Sequence, residues 1–108
     1  MTSIEFFSPD DRIDGFCSSG HSGYGEAGTD IVCAAVSAAV HLTITTIVDV
    51  LGVNAKVRVQ EDEARITVKL PSSCEDSEDA VQAILAGLML TLCSLRDDYP
   101  DYIEVMEV

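Results

Sequence analysis

The chain has 108 residues, of which 47% are hydrophobic. That is enough for one core without metal or disulfide staples, and it excludes disorder for most of the length. Nineteen acidic residues against six basic ones give a net charge of −13, which argues against a nucleic-acid or anionic-membrane binder and favours a basic partner. One domain over residues 1–108 is expected.

Thr2 to Phe7 reads as a short strand, and Pro9, Asp10 and Asp11 as a turn. Ile13 to Gly20 reads as a second strand, close enough to the first to make a hairpin. Gly20 to Gly28 is a loop holding four of the seven glycines. A helix is expected to start at Thr29 or Asp30, either of which suits an N-cap, and to run to about Leu51, with Gly52 as its stop. Within it, the β-branched run from Thr43 to Val50 suits a strand equally well. Ile31 to Val48 carries no formal charge and meets the length of a membrane span. However, Ser37, His41, Thr43, Thr45 and Thr46 interrupt it, Asp30 and Asp49 close it, and no Lys or Arg lies between Arg12 and Lys56 to anchor it. It is therefore read as a helix buried in a soluble domain, with no membrane partner.

Further along, Ala55, Val57 and Val59 alternate with Lys56, Arg58 and Gln60. Ala64, Ile66, Val68 and Leu70 alternate with Arg65, Thr67 and Lys69, and Glu61, Asp62 and Glu63 connect the two runs. This is a β-hairpin with one apolar face and one polar face. The polar face carries four of the six basic residues and is either a solvated sheet face or a binding surface. Ser77, Glu78 and Asp79 suit a helix start, and Val81, Ile84, Leu85, Leu88, Leu92 and Leu95 follow at helical spacing as a core stripe. Tyr102 to Val108 closes the chain as a strand. The order β-β-α-β-β-α-β predicts an α+β fold, two helices packed on a mostly antiparallel sheet.

Cys17, Cys33, Cys74 and Cys93 sit at wide, unrelated spacings without a C-x-x-C, so a zinc or thioredoxin site has no support and neither metal nor cofactor is expected. MTSIEFFSPDD has no basic n-region and no long apolar run, so no signal peptide is expected. A reducing cytosol and free thiols are the expectation. Gly23, Gly25 and Gly28 spell G-x-G-x-x-G, the dinucleotide-binding fingerprint. It is rejected. The strand before it is half of a hairpin, the next two strands form another, and Glu26 puts a carboxylate where a pyrophosphate would sit.

The stronger constellation is His21 with Cys33. His21 ends a strand, and Cys33 falls in the first turn of the next helix. Folding back of the glycine loop would bring the imidazole to the sulfur. A helix N-terminus and an imidazolium both favour a thiolate nucleophile, and N–H groups at the helix end could receive an oxyanion. Asp30 would oppose the thiolate if it faced the sulfur, so it is assigned instead to capping the helix or orienting the loop. By residue type alone such a pair is more often packing than catalysis. His41 is read as a core or partly exposed residue, and Cys17, Cys74 and Cys93 as inert thiols.

The string GHSGYGEAGTDIVCAAVS, Gly20 to Ser37, closely resembles the signature of the ribosomal-processing cysteine protease (Prp) family. Gly20 and His21 match its Gly-His, and Asp30 to Ser37 match its second block without a break. Ser22 stands where Ala is commoner, and Ala27 where many members carry a second histidine. The resemblance implies a homodimeric cytoplasmic endopeptidase that removes an N-terminal extension from a large-subunit ribosomal protein. Cys33 would be the nucleophile, by way of a covalent thioester, and His21 the general base and then the acid. Gly20, Ser22, Gly23, Gly28, Asp30 and Ser37 are carried over as substrate-binding or loop residues, and the loop from Ser22 to Gly28 would close over substrate. Ser37 lies one turn after Cys33 on the same helix face. The basic hairpin face is a candidate dimer interface. A basic precursor suits the acidic charge. The competing readings are a non-catalytic acidic module that binds ribosomal proteins during assembly, and a thiol-based redox protein.

Overall fold

The computed structural model describes residues 1–26 and 30–108. Strands β1 (Thr2–Phe7), β2 (Gly15–Ser19), β3 (Lys56–Gln60), β4 (Arg65–Lys69) and β5 (Ile103–Glu107) form one sheet in the order β3-β4-β2-β1-β5. Helices α1 (Ile31–Thr45) and α2 (Glu78–Asp98) complete the expected α+β fold. Every strand pairing is antiparallel except β1 with β5, where Thr2 lies opposite Ile103 and Ile4 opposite Val105.

Alternation along β1 turns Thr2, Ile4 and Phe6 inward, because successive strand side chains point to opposite faces. The register sets Phe6 opposite Phe16, and Phe16 opposite Val68. The two phenyl rings pack at 5.9 Å with a 35° tilt. Val32, Val36, Val40 and Ile47 come down on this surface from α1 and its extension, and Val81, Leu85, Leu88 and Leu92 from α2. By length and composition, segments 31–50 and 75–98 are apolar enough to cross a membrane. Here each lays a stripe at helical spacing on the sheet.

Three expectations are refined, each for a specific physical reason. The second strand is shorter than Ile13 to Gly20, because Ile13 leaves the ladder. Its N–H donates to Gln82 Oε1 and its C=O accepts from Gln82 Nε2, both at 2.9 Å. The β-branched run from Thr43 stays helical. Thr43 and Thr46 hydroxyls donate to the carbonyls four residues back, at 2.9 and 2.7 Å. Thr46–Val50 continues as a π-helical turn, with Leu51 N–H bonded to Thr46 O at 2.9 Å. This lets Ile47 reach the core and stay fully buried.

The third correction concerns the hairpin. Val57 and Val59 share the helix-side face with Val68 and Ile66, yet they are 40% and 59% exposed. β3 is the edge strand, and the helices leave it uncovered. The expected apolar face is therefore buried on β4 and open on β3. β2 pairs antiparallel with both β1 and β4, so the glycine loop after it enters no parallel crossover. That removes the structural context a dinucleotide fingerprint needs.

At the other end of the sheet, Arg12 joins the β1–β2 loop to the start of α2. Its guanidinium donates to Glu78 at 2.6 and 3.0 Å, to Asp14 at 2.8 Å and to Pro71 O at 3.0 Å. The Arg12 hydrogen bond, supported by the Cys74 N–H, holds the Glu78 carboxyl down to about 2. Burial pushes the neighbouring Cys74 thiol up, and the Glu78 charge adds to it.

Candidate active site

The segment between β2 and α1 carries most of the expected site residues. Gly20 leaves β2 with φ +81°, and a Cβ there would meet Met1 O at 2.6 Å, so only glycine fits. Its N–H donates to Ala64 O at 3.2 Å, tying the loop to the β3–β4 turn. His21 follows and is exposed. Ser22 turns back into the protein and is 2% exposed. Gly23 again takes a positive φ, +77°. The Tyr24 ring then packs edge-on against Tyr99 at 5.3 Å and Tyr102 at 5.2 Å, so the loop rests on the end of α2 and the approach to β5. Gly28, Ala27 and Thr29 lie outside the described residues.

Asp30 is the N-cap of α1, and it does more than cap. Its Oδ1 accepts from the N–H groups of Val32 and Cys33, both at 3.0 Å. Its Oδ2 accepts from the Ser22 hydroxyl at 2.5 Å and from Gly25 N–H at 3.2 Å. These donors, the Ser22 hydroxyl first and the Cys33 N–H next, hold the carboxyl far below the usual carboxylate range despite its burial. A carboxylate so satisfied is a poor proton acceptor. Asp30 therefore orients the loop and caps the helix, the two roles expected of it, and is no general base.

Cys33 sits in the first turn of α1, half-buried. Its Sγ accepts the Ser22 N–H at 3.2 Å and donates to Ser22 Oγ at 3.5 Å. Ser22 thus lies directly against the sulfur, and the Asp30 carboxylate also takes a side-chain hydrogen bond from Cys33. The oxyanion site expected at the helix end is narrowed by the cap. The N–H groups of Val32 and Cys33 are committed to Asp30, and that of Ala34 to Asp30 O at 3.0 Å. The helix end does not offer them to an incoming oxygen.

His21 and Cys33 nevertheless line one cavity of about 850 Å³, which runs between α1 and the β3–β4 hairpin. Gly20, Gly23, Asp30 and Ser37 line it too, whereas Ser22, expected at the substrate surface, lies buried behind it. Ser37 and His41 follow Cys33 at four-residue steps along the same helix face. Val36, Val40, Val59 and Ile66 supply an apolar wall, and Glu61 and Arg65 polar edges. The helical spacing from Cys33 could have flagged His41. Thr2, Val59 and Arg65 had no such signal, because only the sheet pairing brings them here. Thr2 also leaves its buried Oγ1 without a partner among the described residues. Among the described residues no group of His, Cys, Asp and Glu is placed to hold a metal. Cys17 lies on the opposite sheet face, where its sulfur contacts Arg65 at 3.3 Å and Thr67 at 3.5 Å.

A half-buried cysteine at a helix N-terminus that shares a cavity with a histidine is an arrangement suited to nucleophilic attack on a peptide. The chain matches the family described as cysteine protease Prp over residues 1–104. It belongs to that family, and it is a cysteine peptidase. Its relatives include the ribosomal processing cysteine protease Prp of Bacillus subtilis, 27% identical over 99 residues, covering 91% of this chain and 88% of the relative. Among solved structures, the S. aureus ribosomal processing protease Prp with a covalently linked product peptide superposes with a TM-score of 0.89 at 20% identity, each chain covered in full. The same S. aureus protease with a substrate peptide gives 0.84 at 19% identity, again over both full chains.

Proposed function

We propose that this peptidase removes an N-terminal extension from a basic large-subunit ribosomal protein precursor, with Cys33 as nucleophile and His21 as general base. The observation that supports this most directly is that Cys33 and His21 line the same cavity. His21 takes the thiol proton as Sγ attacks the scissile carbonyl carbon. It then gives that proton to the departing amine as the C–N bond breaks, leaving a thioester on Cys33. Water, deprotonated by His21, cleaves the thioester and frees the thiol. Among the described residues no hydrogen bond joins His21 to Cys33, and peptide entry into the cavity supplies the occasion for the loop that starts at Gly20 to bring them together.

The net charge of −13 attracts a basic precursor and speeds encounter. The relatives named as ribosomal processing proteases support the same substrate class. The enzyme works in the cytoplasm as a homodimer of one-domain chains, with the basic face of the β3–β4 hairpin as the candidate interface. The test is cleavage of the precursor from the same genome by wild type, Cys33→Ser and His21→Ala, with products read by intact mass. One defined N-terminal cut, lost in both variants, is expected. Binding of the precursor without any cut by wild type would overturn the proposal in favour of an acidic binding module.

A further inference from the structure

The dyad leaves one polar group beside the nucleophile without a role. We propose that Ser22 is a positioning residue for Cys33: its hydroxyl, tied to Asp30, holds its own main-chain N–H on the sulfur. This rests on the reading of Cys33 as the nucleophile. Ser22 is 2% exposed and lies behind the cavity rather than in it, so a direct hold on substrate is not its part.

The connection runs through three residues. Ser22 N–H reaches Cys33 Sγ at 3.2 Å. Ser22 Oγ donates to Asp30 Oδ2 at 2.5 Å. Asp30 Oδ1 accepts Cys33 N–H at 3.0 Å, so the same carboxylate grips the backbone of the nucleophile and the side chain of its neighbour. The distance between Ser22 and Cys33 is thereby fixed from both sides. A serine hydroxyl has one proton. While Asp30 holds it, the hydroxyl can only accept from the thiol, as it does at 3.5 Å. When the thiol proton leaves, that acceptor contact is lost, and the N–H becomes a charge-assisted donor to the sulfur. An alanine in this place would keep an N–H but lose the tether. Tyr24 N–H, which now donates to Ser22 Oγ at 3.2 Å, would be released with it.

The helix cap through Oδ1 and the Gly25 bond to Oδ2 do not depend on the hydroxyl, so Ser22→Ala is expected to fold. It should lower kcat about 10-fold, a loss of roughly 1.4 kcal/mol, with KM within twofold of wild type. Ser22→Thr, which restores the hydroxyl, should regain most of that loss. Asp30→Asn keeps the cap oxygen and removes the tether acceptor. The double variant should fall no further than the worse single one if the two residues act as a unit. Alkylation of Cys33 by iodoacetamide, located by peptide mass, should slow by a similar factor in Ser22→Ala without any peptide present. Wild-type kcat and alkylation in Ser22→Ala, or losses in Ser22→Ala and Asp30→Asn that multiply in the double variant, would overturn the proposal. The alkylation arm separates the two ideas. Slowed alkylation with no precursor cleavage by wild type would sink the protease substrate and keep the positioning role.

Discussion

Two threonines of almost equal burial make a controlled comparison of what a buried hydroxyl is worth. Thr2 is 3% exposed on the inner face of β1, and its Oγ1 has no hydrogen-bond partner among the described residues. Thr43 is 2% exposed on α1, and its Oγ1 donates to Ala39 O at 2.9 Å. Replacing each by valine changes a hydroxyl to a methyl of similar shape. At Thr2 the change removes a desolvated group that costs about 1–3 kcal/mol unpaired, and it adds a buried methyl contributing about 0.8 kcal/mol. The backbone bond from Thr2 N–H to Tyr102 O, 3.0 Å, is untouched. Valine also suits a strand at least as well as threonine. Thr2→Val is therefore expected to stabilise by about 2–4 kcal/mol, at about 4 °C or more in Tm per kcal/mol. Thr43→Val loses a made bond and should destabilise by about 0.5–1 kcal/mol. Urea unfolding at unchanged m, supported by thermal melts, reads both. If Thr2→Val is neutral or destabilising while Thr43→Val is the milder change, the bookkeeping of buried hydroxyls used here is wrong.

Other expectations follow from the same geometry. Glu78 titrates lower when folded than when unfolded, so the unfolded chain binds protons first on acidification. Its stabilising contribution is whole above about pH 4.5 and is lost as pH falls towards about 2. Glu78→Gln should flatten stability against pH in that window, measured by urea midpoints, and an unchanged slope would count against the Arg12 clamp. Tyr24→Ala removes two edge-on aromatic contacts, each worth about 0.5–1.5 kcal/mol. Hydrogen exchange at Gly25 N–H should quicken about tenfold, and unchanged protection would show that the ring does not hold the loop. Gly20→Ala should destabilise and reduce precursor cleavage together, since a Cβ there meets Met1 O at 2.6 Å. Unaltered melting and cleavage would contradict that constraint.

Local pattern alone determined most of the architecture. Period-two alternation marked β3 and β4, helical spacing marked α2, and Asp30 with Gly52 bracketed the first helical segment. That His21 and Cys33 line one cavity was legible because the glycine loop, the cap and the thiol are neighbours along the chain. What the sequence left open needed partners distant in the chain. Ile13 looks like a strand residue, yet Gln82 on α2 takes its backbone bonds. Thr43 to Val50 carry β-branched side chains, and packing of Ile47 into the core keeps them helical. Val57 and Val59 alternate as a buried face does, but an edge strand is covered only if a helix reaches over it, and none does. The site followed the same division. Residue types and the family resemblance singled out Cys33 and His21 as candidates. Which group touches the sulfur was decided by Asp30, whose carboxylate draws Ser22 inward and leaves His21 at the cavity surface.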